Sequence, residues 1–189
     1  MDHYIDLRLR PDPDFEPPKL MGALYSKLHR ALFDLQASDI GVSFPQHKVG
    51  VKARSLGEHL RLHGTRARLD ELMALSWLTG MRDHVTVSDV MAVPGNTQQI
   101  NVARKQFNTG SPSRVRRYAR RHDVPEAEAQ KLYAPTHERR ITLPFAQLGS
   151  RSTKERFCLF IHHGEPQAEA VVGVFNHYGL SPKATVPWF

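Results

Sequence analysis

The sequence is poor in the features that mark secreted, membrane-spanning or metal-dependent proteins. It has one cysteine, Cys158, in 189 residues, so no disulfide can close within the chain, which fits a reducing compartment. No apolar run approaches the roughly 20 residues that span a bilayer. The opening Met1-Asp2-His3-Tyr4 has neither the charged nor the apolar region of a signal peptide, and a soluble, cytoplasmic protein with no membrane partner is expected. The eleven histidines show no HExxH spacing, the carboxylates no clear grouping, and there is no Walker motif or GxSxG elbow. Metalloprotease, ATPase and serine-hydrolase readings have no motif to stand on, and no metal or cofactor is expected.

The most informative absence is of acid. Between Asp89 and Asp123 there is no Asp or Glu, while Arg104, Lys105, Arg114, Arg116, Arg117, Arg120 and Arg121 fall in that stretch. These seven account for the whole net charge of +7, because the other 19 basic residues match 19 acidic ones. So local an excess points to a polyanionic partner, with nucleic acid ahead of a membrane because no apolar face accompanies it.

What is present reads as α+β. Tyr4 to Leu9 alternates as a half-buried strand does, and Leu20, Leu24, Leu28, Ala31 and Leu35 recur at helical spacing. Ile40 to Phe44 is a strand stopped by Pro45. Leu60 and Leu62 alternate with His59, Arg61 and His63 in another. Leu69, Leu72, Met73 and Trp77 mark a second helix, and Val85 and Val87 a last strand. The order βαββαβ is that of a ferredoxin-like unit. Composition changes at Pro94-Gly95-Asn96, so a ferredoxin-like domain over 1–94 and a C-terminal α+β domain over 95–189 are expected. In the second, Ser111-Pro112 starts a helix reaching about His122, and Asp123 with Glu126 resembles a capping box for a short helix to about Tyr133. Strands are expected at 141–148, 156–162 and 170–175, and the apolar end Val186-Pro187-Trp188-Phe189 should dock on the core.

Four groups of side chains bear on chemistry. Arg114, Arg116, Arg117, Arg120 and Arg121 fall within about 160° of a helix circumference, and with no acid on that face a phosphate backbone neutralises them better than solvent. A basic solvent face or a protein docking site remain as alternatives. Arginine's planar fork suits phosphate oxygens or a guanine edge. Arg104-Lys105-Gln106-Phe107-Asn108 combines a fork, an amide and a stackable ring that could read bases, or forms an ordinary edge strand. His29 sits at the margin of its helix's apolar stripe, about 40° beyond Tyr25; position alone favours a structural histidine, whereas imidazole chemistry suits proton transfer near neutral pH. Gly149-Ser150-Arg151-Ser152-Thr153 offers hydroxyls and a cation after a strand, or simply a polar turn.

Taken in order, the residues resemble a known family, the CRISPR repeat-processing endoribonucleases of type I-F systems. The resemblance rests on Met1 to Tyr4, Arg8 to Phe15, Lys27-Leu28-His29, Ile40 to Pro45, Arg116-Arg117, Arg120 to Asp123, Ser150 to Thr153, Phe157 to Ile161, Tyr178 to Ser181 and Val186 to Phe189. It implies metal-independent cleavage at the 3′ base of the repeat hairpin of precursor CRISPR RNA, by 2′-hydroxyl attack. It also implies retention of the product within a surveillance complex whose other subunits are further partners. Position by position, it implies that His29 is catalytic, that Ser150 holds the attacking hydroxyl and that Tyr178 orients the histidine. Arg116, Arg117, Arg120 and Arg121 then meet the hairpin, and Arg114, which shares their helix face, is expected to join them; Arg104 and Gln106 read bases at the foot of its stem, Phe157 stacks beside the cut, and Ser152 lies near the scissile phosphate. Val115, Tyr118, Ala119 and Gly110-Ser111-Pro112 depart from the family pattern, whereas the absence of the wider family's glycine-rich C-terminal loop suits the type I-F branch. A hairpin-binding subunit without catalysis and a DNA-binding regulator are the rival functions.

Overall fold

The computed structural model describes residues 1–107, 112–132, 141–149 and 156–189, without the side chains of 112–114 and 132. The chain divides into two compact units, Met1–Lys105 with Thr142–Phe189, and Gln106–Ile141.

The larger unit opens with the expected order: β1 (His3–Leu9), α1 (Pro17–Asp34), β2 (Gly41–Ser43), β3 (His59–Gly64), α2 (Arg66–Ala74) and β4 (Val85–Val87). They form an antiparallel sheet in the order β2-β3-β1-β4, with a short β5 (Met91–Ala92) also pairing β1. This is the ferredoxin-like arrangement. A second antiparallel sheet, in the order β7-β8-β6-β9, is built from β6 (Gln98–Lys105), β7 (Phe145–Gly149), β8 (Arg156–His163) and β9 (Thr185–Trp188). Both sheets bury their apolar side chains in one core, where Ile5, Leu7, Leu24 and Leu62 are continuous with Val102, Leu159, Ile161 and Val186. The division expected at residues 94/95 therefore separates two sheets rather than two cores, and the segment that stands apart is 106–141.

Helix α1 begins at Pro17-Pro18, residues preorganised for a first turn. It ends where Gln36 turns left-handed (φ 49°) and Ala37 N–H donates back to the Leu32 carbonyl at 2.9 Å. Three details of the larger unit differ from expectation. Helix α2 stops at Ala74, leaving Trp77 buried in the following turn. In β3 the polar alternates His59, Arg61 and His63 are buried too, because the far face of the sheet is covered. The Arg61 guanidinium pairs with Asp6 (2.6 and 3.0 Å), lies 4.6 Å from the Tyr4 ring and 3.9 Å from the Phe189 ring, and donates to the Phe189 carbonyl. Residues 170–175 form no strand, their ladder partners being replaced by single bonds such as Phe175 N–H to the Ser38 carbonyl. The C-terminal run docks as expected, as β9 along β6.

The smaller unit holds α3 (Pro112–His122) and α4 (Glu126–Leu132). Asp123 does not cap α4. Its φ of 51° ends α3, with Val124 N–H returning to the Ala119 carbonyl at 3.1 Å, so the turn chemistry belongs to the preceding helix. The Tyr133 end expected for the second helix lies outside the described residues.

Candidate active site and arginine helix

His29 is half-buried on α1, one turn beyond the fully buried Tyr25. Its ring stacks on Tyr178, with centroids 3.8 Å apart and planes 6° from parallel. Its Nδ1 lies 2.9 Å from the His177 backbone carbonyl. A carbonyl only accepts, so in the neutral ring Nδ1 carries the proton and Nε2 keeps its lone pair. The geometry fixes both the ring plane and the tautomer, which is what a proton-transfer group needs.

The turn that supplies these contacts is held from several directions. Asn176 Oδ1 accepts from Tyr178 N–H (2.8 Å) and Leu180 N–H (3.3 Å). Gly179 takes φ +68°, and a Cβ there would lie 2.6 Å from a Val42 methyl; its carbonyl accepts from Val42 N–H at 3.0 Å. Tyr25 donates its hydroxyl to the Tyr178 carbonyl at 2.7 Å, and Phe33 meets the His177 ring edge-on at 5.1 Å. Burial raises the Tyr178 hydroxyl above the usual phenol value, and the positive charge of Arg104 on β6 opposes that rise. The turn holding His29 thus draws on α1, β2 and the C-terminal segment, with Arg104 in electrostatic reach. The roles of Tyr25, Asn176 and the His177 carbonyl did not stand out in the sequence. Asn176 followed by Gly179 was the available signal, since both favour turns.

Phe157 is half-buried on β8, opposite Leu148 of β7, and packs against the core. Arg104 is exposed on β6, in the stretch Val102–Lys105 that pairs β8 while β9 pairs only Gln98 to Asn101, and Gln106 is exposed just past the strand's end. Ser150 and Ser152 lie outside the described residues.

In the smaller unit, Val115 and Ala119 of α3 are buried with Ala129 of α4, partly covered by Tyr118 and Val124. The departures from the family's helix pattern noted above thus include this packing face. On the remaining circumference Arg116, Arg117, Arg120 and Arg121 are all exposed, and none forms an ion pair among the described residues. Arg114 lies in the same helix, its side chain outside the described set. Four exposed guanidinium groups on less than three turns make a surface that a phosphate backbone would neutralise.

An α+β protein of ferredoxin-like type, with a histidine fixed in plane and tautomer and a helix faced with arginine, has side chains suited to a nucleic acid. The family model described as CRISPR-associated protein (Cas_Csy4) matches residues 4–189. The chain is 45% identical to a protein of Pseudomonas aeruginosa (strain UCBPP-PA14) and 41% identical to one of Escherichia coli (strain UTI89 / UPEC), each over 189 residues and the whole of both chains. Both relatives are named CRISPR-associated endonuclease Cas6/Csy4. The chain belongs to this Cas_Csy4 family of CRISPR-associated proteins. A solved structure titled as an RAMP protein binding different RNA substrates aligns over 98% of this chain and 99% of that one, but at 11% identity and a TM-score of 0.35 the likeness is too slight to argue from.

Proposed function

We propose that this chain, a CRISPR RNA-processing endoribonuclease, grips the repeat hairpin through α3 and cuts at the 3′ base of the stem with His29, without metal. The observation that carries the catalytic assignment is the pinned imidazole: Nδ1 on the His177 carbonyl and the ring against Tyr178. With Nε2 given no hydrogen-bond partner by the described residues, the histidine can take the proton of a 2′-hydroxyl or, once protonated, give one to the leaving oxygen. The 2′-hydroxyl upstream of the scissile phosphate, held by Ser150 with Ser152 near the phosphate, attacks in line. The 5′-oxygen leaves as a hydroxyl, and a 2′,3′-cyclic phosphate remains upstream. Help from one such acid or base is worth roughly a hundredfold to ten-thousandfold; positioning of the RNA supplies much of the rest.

Tyr178 holds the plane of the ring. Arg104 and Gln106 read bases at the foot of the stem, and Phe157 stacks on a nucleotide beside the cut. Arg114, Arg116, Arg117, Arg120 and Arg121 contact the stem, which holds the protein on its product as a subunit of the surveillance complex in the cytoplasm. An A-form major groove is too deep and narrow for most side chains, so a short stem, open at its end, suits a helix best.

The test is chemical. Labelled repeat RNA incubated in EDTA should be cut to a cyclic phosphate and a 5′-hydroxyl, and RNA carrying a single 2′-deoxy sugar before the cut should bind but stay whole. Cutting of the deoxy RNA, or cutting that requires a divalent ion, would overturn the mechanism.

A further inference from the structure

The tautomer of His29 depends on a single peptide unit, the one joining His177 to Tyr178. A trans peptide is planar, so its carbonyl and its N–H point in opposite directions and cannot be aimed independently. Both ends of this unit are held. Its carbonyl meets His29 Nδ1 at 2.9 Å, and on the other side the Tyr178 N–H donates to Asn176 Oδ1 at 2.8 Å.

The next two peptide units are clamped in the same way. The Gly179 N–H donates to the Asn176 carbonyl at 2.7 Å, while the Tyr178 carbonyl accepts from the Tyr25 hydroxyl at 2.7 Å. The Leu180 N–H reaches Asn176 Oδ1 at 3.3 Å, while the Gly179 carbonyl accepts from the Val42 N–H at 3.0 Å. Asn176 also donates its own N–H to the Leu180 carbonyl at 2.9 Å. Three successive N–H groups therefore turn inward to one asparagine, an Asx turn, and the carbonyls of His177, Tyr178 and Gly179 are left for α1 and β2.

We propose that Asn176 is a positioning residue that fixes the tautomer of His29 through the His177–Tyr178 peptide. The inference rests on the reading of His29 as the cutting residue. A carbonyl facing Nδ1 suits both forms that proton transfer uses: the neutral ring with its lone pair on Nε2, and the imidazolium, which carries a proton on each nitrogen. Were the plane turned over, an N–H would face Nδ1 and only the tautomer with its proton on Nε2 would be satisfied. That tautomer cannot take the proton of a 2′-hydroxyl at Nε2. Without the Asn176 side chain, water satisfies the Tyr178 N–H but does not fix its direction, and the carbonyl on the other side of the plane loses its aim.

A backbone carbonyl cannot be removed by substitution, so the test is made at Asn176 and read at His29. In long-range proton–nitrogen correlation spectra of the RNA-free chain, at a pH where the ring is neutral, wild-type His29 should show a protonated Nδ1 and a bare Nε2. Asn176→Ala should show a mixture of the two tautomers. Its single-turnover cleavage rate at saturating hairpin RNA should fall by about tenfold to a hundredfold, with hairpin affinity little changed. Asn176→Ser, whose hydroxyl can accept from the N–H two residues on, should restore the tautomer and most of the rate. A wild-type ring protonated on Nε2 overturns the proposal. So does an Asn176→Ala chain that keeps the wild-type tautomer, or a serine variant that recovers neither tautomer nor rate. The spectrum is read without cutting, so a failed tautomer assignment is seen separately from a failed cleavage assignment, which His29→Ala reports.

Discussion

The two regions assigned to this protein's work are built in opposite ways. His29 is held by partners almost as far away in the chain as they can be: its Nδ1 meets the His177 carbonyl, 148 residues on, and that turn is in turn held by Tyr25, Val42 and Asn176. The arginines of α3 need only a helix, whose periodicity gathers them on one side while Val115 and Ala119 occupy the other. Proton transfer demands one geometry, and a core supplies it. Phosphate binding demands charge density, and a short helix supplies that.

If the division is right, substitutions should sort by region. The largest effect belongs to His29→Ala, which should lower the cleavage rate by at least about a hundredfold and change hairpin affinity little; near-normal cutting would remove the assignment. Next, Arg120→Ala/Arg121→Ala should weaken hairpin binding by roughly tenfold for each lost charge-assisted contact, and flatten the salt slope by about 0.7 to 0.9 per phosphate. A binding loss that is independent of salt would deny them phosphate contacts.

Acid should distinguish the regions as well. Burial foremost, with the Arg61 charge adding to it, pushes fully buried His63 down to about 3, against about 6.5 for an unfolded chain. Between those values the unfolded state holds the extra proton, so this stability is complete above pH 6.5 and is lost as pH falls, by about 1.4 kcal/mol per unit. Half-buried His163, also held near 3 by burial, acts in the same direction. Thermal melts of the wild-type chain should fall from pH 7 to 5, and His63→Gln should flatten that dependence; parallel curves would contradict it. The smallest effect falls on the stack: Tyr178→Phe should cut within about twofold of wild type, whereas Tyr178→Leu should lose about twofold to tenfold. Loss of activity in Tyr178→Phe equal to that in Tyr178→Leu would move the role from the ring to the hydroxyl.

The same contrast explains what could be read from the chain. The arginine face was legible because helical periodicity is local. So were α1 and the βαββαβ order, since Leu20, Leu24 and Leu28 advertise their face. His29 was ambiguous on pattern, because what gives it a role lies at residues 176–178, and only the resemblance pointed to it. The polar alternates of β3 misled for a similar reason: nothing near Arg61 in sequence announces that Phe189 will cover it. Asp123 was read as a cap for the wrong helix, since a side chain that caps and a residue that turns left-handed are both drawn from Asp and Asn.

Separate tasks for the two regions are tested most directly by the single-turnover cleavage rate of Arg120→Ala/Arg121→Ala as hairpin RNA is raised to saturation in EDTA. The rate should climb to within a few-fold of the wild-type plateau, because the lost grip is replaced by concentration while His29 is untouched. A plateau that stays as low as that of His29→Ala would place the arginine helix in the chemistry and contradict the division.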